Sequence, residues 1–185
     1  MPKSCRISAA SRWPAPRSSF ERTLGLAMRN FFRLVSLVGI AVALSGAAPT
    51  ACAIAPVDLV STIVPGYDGT ASGLSFASAN EEPTLTELCT YQGSGAALAM
   101  IVYNFTAADK AATAFAKAKE NSHPAPTSAE GDGIGDDAYW QTSNETIAIQ
   151  FRKGTRVVSL SALAVSPDDT RPKMVKLAQS ISGNL

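Results

Sequence analysis

Two stretches near the C-terminus alternate apolar and polar residues one by one, and nothing else in the chain limits its fold as much. Over residues 145–152, Ile147, Ile149 and Phe151 fall on one side, with Thr146, Ala148, Gln150 and Arg152 on the other. Lys153-Gly154 then turns the chain, and residues 156–162 alternate again through Val158, Leu160 and Ala162. A repeat of two is the strand repeat, so this is a hairpin with one core face and one wet face. A second hairpin is expected upstream, with strands at 86–92 and 96–105 joined by Gly93-Ser94-Gly95. Its second strand is apolar on both sides, which predicts a central position covered on both faces. A short strand is also expected at 138–141.

Helices are expected at three places. Residues 56–64 read as a short helix with Val57, Val60 and Val64 on one face, widened by Leu59 and Ile63 and stopped by Pro65-Gly66. Thr106, with Asp109 three residues on, predicts the N-cap of a helix running to about Glu120, whose Ala108, Ala111, Ala112 and Phe115 face the core. Ser166-Pro167-Asp168-Asp169 starts the last helix, with Met174, Leu177, Ala178 and Ile181 as its apolar stripe. Residues 66–84 read mostly as loop, with an edge strand around 73–77, and residues 127–137 as a Gly/Asp loop. The expected fold is α+β: an antiparallel sheet of about five strands with two main helices packed on it, in the order α-β-β-α-β-β-β-α.

Charge divides the chain into two parts. Residues 1–53 carry seven Lys or Arg and one Glu, whereas residues 54–185 carry nine Lys or Arg against fourteen Asp or Glu. The second part is mildly acidic and lacks the basic stripe needed to neutralise phosphates, which sets nucleic-acid binding aside. The first part has the order of a secretory signal: the basic segment 28–33, an uncharged apolar run of fifteen residues at 34–48, and Ala51-Cys52-Ala53 as an Ala-x-Ala site. The run is short for a membrane span, which takes about 20 apolar residues. Residues 28–53 are therefore expected to be a signal peptide and residues 54–185 a single mature domain beginning near Ile54. Residues 1–27 precede a signal that is complete without them, and read as a mis-assigned start or an extended n-region.

Cleavage after Ala53 leaves Cys89 as the one thiol of the mature chain, so no internal disulfide is expected and Cys89 reads as a small buried residue in a strand. If Cys52 instead became the new N-terminus, the product would be a lipoprotein anchored through it. Pro49, three residues before Cys52, is not the aliphatic residue such signals favour.

Few residues point to chemistry. Glu130, Asp132, Asp136 and Asp137, with three glycines among them, have the oxygen density a calcium ion wants, without EF-hand spacing. Turn chemistry explains the same residues, so the expectation is a structural loop that depends on Gly133 and Gly135, its carboxylates making a turn hydrogen bond each at most. His123 is the only histidine and sits in a polar connector with no nucleophile motif beside it. Tyr139-Trp140 fits either a ligand-stacking platform or a core anchor, and the core reading is preferred. Neither the P-loop nor the Rossmann glycine spacing is present.

The segment Gly133-Ile134-Gly135-Asp136-Asp137-Ala138-Tyr139-Trp140 follows Cys89-Thr90-Tyr91 and a long helix. It precedes Arg152-Lys153-Gly154 and Val157-Val158-Ser159-Leu160. In that order these motifs resemble small secreted or lipid-anchored bacterial domains of unknown function, over about residues 55–183. The resemblance implies an exported α+β sensor-like or binding domain with no catalytic residues to carry over. The mature part, counted from Ile54, departs from it in lacking a second cysteine and a clear lipid-attachment signal.

These readings converge on an exported, non-enzymatic binding domain of the bacterial envelope, periplasmic or secreted, whose partner is a small molecule or an envelope protein. Neither catalytic residues nor a cofactor are assigned. The alternatives are a hydrolase-like enzyme using Cys89 or His123, with a deep pocket holding both, and a calcium-stabilised module. A flat apolar patch would instead favour a protein partner.

Overall fold

The computed structural model describes residues 50–123, 126–129 and 132–185, all within one unit, residues 41–185. The expectations for residues 1–49, which include the basic segment and the apolar run, lie outside the described residues. So do Glu130 and Gly131 of the acidic loop.

Seven strands form one antiparallel sheet: β1 (Ser72–Ala77), β2 (Leu85–Gln92), β3 (Ala97–Asn104), β4 (Thr127–Ser128), β5 (Asp137–Thr142), β6 (Thr146–Lys153) and β7 (Arg156–Leu163). Their order across the sheet is β1-β2-β3-β7-β6-β5-β4. The helices are α1 (Val57–Ile63), α2 (Ala108–Glu120) and α3 (Pro167–Gly183), preceded by a 3₁₀ turn at Thr50–Ile54. The α+β class and the antiparallel sheet agree with the sequence reading, but the strand count does not. The edge strand expected around 73–77 is β1, and the two-residue β4, inside the expected Gly/Asp loop, is the strand that was not expected.

The alternating residues sort by face as their period requires. Ile147, Ile149 and Phe151 of β6 and Val158, Leu160 and Ala162 of β7 are buried on one face. Met100 of β3 and Trp140 of β5 join them, with Met174, Leu177, Ala178 and Ile181 of α3 and Val60 and Ile63 of α1 laid on top. Burying one such aliphatic side chain stabilises a fold by roughly 1.5–3 kcal/mol, so this layer carries the domain. Val57, expected on the core face of α1, is the first residue of the helix and is 52% exposed.

The opposite face is covered only in part. There α2 packs Ala111 and Phe115 on Tyr139 and Val157, with Tyr103 and Phe105 alongside. Ala108, expected to face the core, is exposed. The expected Thr106 cap is also replaced. The N-cap is Ala107, with no side-chain hydrogen bond. Thr106 instead donates its backbone N–H (3.2 Å) and its hydroxyl to Glu82 of the β1–β2 loop. Lys110 reaches the same carboxylate at 3.0 Å, so a distant acid anchors the helix start. β3 is central in the ladder, between β2 and β7, but it is not covered on both faces: Leu98, Met100 and Val102 are buried, whereas Ala97, Ala99 and Ile101 are only partly so.

The largest departure concerns the cysteines. Cys52 and Cys89 are joined in a disulfide with a Cα–Cα distance of 5.4 Å. The expectation of no internal disulfide, and of Cys89 as a lone buried thiol, is corrected accordingly. Residues just before Ile54 pack into the domain: Ala51 is buried, and its N–H donates to the carboxylate of Glu87 at 3.2 Å.

Candidate functional site

The residues singled out by chemistry do not assemble. Cys89 lies in the interior, bonded to Cys52, and has no free thiol. His123 is exposed beyond the C-terminus of α2, the helix on the other face of the sheet from Cys89. The two best-shaped depressions measure about 270 Å³ and 180 Å³ and neither includes Cys89 or His123. Both are smaller than the roughly 300–1,000 Å³ of ordinary ligand sites.

The carboxylates of the acidic loop are engaged by the protein itself. Trp140, fully buried, donates its indole N–H to Asp132 Oδ2 at 2.7 Å. Arg171 lies over the Trp140 ring, 4.9 Å from its centroid. Asp136 accepts from the Gly154 N–H at 2.8 Å and pairs with Arg152 at 3.0 Å and Lys153 at 3.4 Å. The Gly154 N–H and these two cations hold the Asp136 carboxyl below its ordinary range. No group of three or more metal-ligating side chains occurs among the described residues. Asp132 and Asp136 do more than the single turn bond expected of them. One caps a core tryptophan and the other ties the loop to the β6–β7 turn.

The glycines of this loop act through the backbone. Gly133 and Gly135 both have φ of +63°. A Cβ on Gly135 would sit 2.3 Å from the Arg152 carbonyl oxygen, which itself accepts from Asp136 N–H at 2.7 Å. The loop is pinned to α3 by Gln179, which donates to the Asp132 carbonyl at 2.6 Å, and by Ser182, whose hydroxyl accepts from Gly135 N–H at 3.0 Å. Tyr139 and Trp140 are core anchors on opposite faces of β5 rather than a stacking platform. Burial raises the Tyr139 phenol above its ordinary range, and its hydroxyl donates to Gln150.

What remains is the part of the sheet that α2 leaves open. The strand register lines up its side chains in rows across the sheet. One row runs Leu74, Leu88, Ile101, Ser159 and Gln150. The next runs Ser72, Thr90, Ala99, Ser161, Ala148 and Gln141. A third holds Gln92, Ala97, Leu163 and Thr146. None of these positions carries a charge. Leu74 is 50% exposed and Leu163 44%, with Phe76 exposed beside Leu74 on the edge strand. The 270 Å³ depression lies at the Leu163 end, next to Ala164, whose φ of 57° is unusual for a residue with a Cβ. None of these side chains is a strong metal ligand or a proton-transfer group. The arrangement suits contact: a broad, shallow, uncharged surface with aliphatic and aromatic side chains at its margins.

Sequence reasoning missed this surface. Leu74 and Phe76 lie in the edge strand expected around 73–77, but the sequence alone did not set that strand beside the wet faces of the other four. Comparison with protein-family models, with curated proteins and with solved structures finds no match to the chain.

Proposed function

We propose that the protein is an exported, non-enzymatic binding domain of the bacterial envelope, and that the open sheet face is where it holds a protein partner. The observation that carries this reading is the absence of any Lys, Arg, His, Asp or Glu from three adjacent rows of side chains across β2, β3, β7 and β6, two of which extend to β1. A face kept merely wet loses nothing by carrying Lys or Glu and gains solubility from them. A face that becomes covered excludes them, because an unpaired charge is costly to desolvate. The partner surface is uncharged for the same reason. The small depressions speak for a protein rather than a small molecule. The signal-like order of residues 28–53 and the Cys52–Cys89 disulfide support export, since disulfides persist in oxidising compartments.

The test places a photocrosslinking side chain at Leu74 or Leu163 in the exported protein, with Glu120 on α2 as the control position. The expected result is a discrete adduct from the two sheet positions only. Excess purified wild-type domain suppresses it, and a domain carrying Leu74→Lys and Leu163→Lys does not. An adduct of twice the protein's own mass identifies the partner as a second copy. If no adduct forms, or if the double-lysine domain competes equally well, the reading is wrong.

A further inference from the structure

We infer that the export signal is cut at the Ala47–Ala48 bond, upstream of Cys52, so that residues 50–55 stay with the mature fold and Cys52 is oxidised onto Cys89. This rests on the export reading above and specifies where processing occurs. It replaces the site after Ala53 expected from the Ala-x-Ala pattern alone.

The residues on either side of that expected site are structural. Ala51 and Ala55 are 4% and 5% exposed and belong to the main core. Cys52 is bonded to Cys89, and its carbonyl accepts from the Tyr91 hydroxyl at 3.3 Å. Glu87, a carboxylate only 6% exposed in the middle of β2, is served by this segment: Oε1 accepts from the Thr50 hydroxyl at 3.1 Å and from Ala51 N–H at 3.2 Å. Cleavage after Ala53 would remove the disulfide, a buried side chain and both of these donors. A buried carboxylate stripped of donors is among the costlier defects a fold can carry.

Lipid attachment at Cys52 meets the same obstacle. It would take the Sγ that is bonded to Cys89, and cleavage before Cys52 would remove Thr50 and Ala51 with their hydrogen bonds to Glu87. Processing must therefore fall before Thr50. There the chain offers Ser45-Gly46-Ala47, small residues in both recognition places, behind an apolar run of eleven residues at 34–44, within the usual length of such runs. Cutting one residue later would put Pro49 directly after the scissile bond, where its ring replaces the N–H and crowds the residue before it.

The chemistry balances in two steps. Water adds across the Ala47–Ala48 amide, leaving a carboxylate on Ala47 and an amine on Ala48. The thiols of Cys52 and Cys89 then give up two electrons and two protons to a disulfide-bearing oxidant of the export compartment, which becomes a dithiol.

The experiment is intact-mass analysis and N-terminal sequencing of the exported protein, with thiol alkylation before and after reduction. The expected product begins at Ala48, is lighter than the dithiol by two hydrogens, resists alkylation until reduced, and then takes up two alkyl groups. A Cys89→Ser variant keeps the Ala48 terminus while exposing one alkylatable thiol, which separates the cut from the oxidation. Ala47→Tyr, a bulky residue at the cut, leaves uncleaved precursor. An exported protein that begins at Ile54, is acylated at Cys52, or alkylates without reduction overturns this inference while leaving export standing. A protein retained in the cytoplasm with its signal intact overturns both.

Discussion

Replacing Cys52 with Ala tests the fold most directly, because the Ala-x-Ala pattern alone puts that residue outside the mature domain altogether. Its bond to Cys89 closes a loop with a sequence separation of 37. The chain-entropy relation for a loop of that size gives about 4 kcal/mol of stabilisation, acting on the unfolded chain. Small domains have only about 5–15 kcal/mol in total. For a domain of this size the loss lowers the Tm by roughly 10–20 °C. Cys52→Ala, Cys89→Ala and the double variant should be unfolded in urea, with reduced wild type beside them. All four lack the same bond, so their losses should agree to within about 1 kcal/mol, the difference being the sulfur removed from the core at Cys89. The double variant should be no worse than the more damaged single one, a near-complete failure of additivity. The m-value should rise in each, since an uncrosslinked unfolded chain exposes more surface. If Cys52→Ala costs nothing and Cys89→Ala about 1 kcal/mol, Cys89 is an ordinary buried thiol and residues 50–55 are no structural part of the domain.

Gly135→Ala should destabilise by at least twice the roughly 1 kcal/mol expected of Gly133→Ala. Both have positive φ, but only the first drives a Cβ onto a backbone oxygen, while at Gly133 the nearest atom is a side-chain nitrogen 3.7 Å away; urea denaturation of the two variants ranks them. Asp132→Ala should cost about 1–3 kcal/mol, because the buried Trp140 indole N–H loses its acceptor, whereas Asp132→Asn, which retains an acceptor, should recover most of it in the same assay. Acid should weaken the fold through Asp136 and Glu82, whose carboxyls are both held below their ordinary range, the first chiefly by the Gly154 N–H and the second chiefly by the Thr106 hydroxyl. The depressed direction means the contribution is whole above the unfolded pKa near 4 and is lost as pH falls through the folded values. Melting temperatures followed downward from pH 5 should therefore fall less steeply in Asp136→Asn than in wild type, and an identical slope would mean that Asp136 takes no part in the acid response.

The legible part of the fold was the part written as periodicity. Ile147 to Phe151 and Val158 to Ala162 alternate, and they occupy the core face of adjacent strands. Met174, Leu177, Ala178 and Ile181 recur at helical spacing, and all four are buried. Trp140 could be read as an anchor because a turn-forming loop precedes it. Interactions that join distant residues were not legible. Glu82 anchors the start of α2 from 24 residues away, and Thr106, a capping residue on local grounds, is drawn to it instead. The Cys52–Cys89 pair was obscured differently. The small residues around Cys52 match a peptidase site as well as they match a tightly packed N-terminal turn, and only the contacts of Ala51, Cys52 and Ala55 tell the two apart.

The open face was hidden because its signal is an exclusion spread over five strands. Taken singly, Thr90, Ala99, Ser161 and Ala148 are unremarkable wet-face residues, and a strand pattern predicts only that they point away from the core. Register sets them side by side, and only then does it show that no Lys, Arg, Asp or Glu interrupts three rows. Chance is a poor explanation in a domain that carries nine basic and fourteen acidic residues elsewhere. Charge is present on the same side of the sheet where α2 packs: Arg152 and Asp137 stand opposite one another there, with Lys119 of α2 at 3.7 Å from Asp137. The charged pair on this face thus lies beside α2, which also covers Tyr139, the neighbour of Gln150. A covered surface needs a sequence rule that an uncovered one does not, and these rows obey it with no helix above them. That is the physical ground for expecting another protein to cover them.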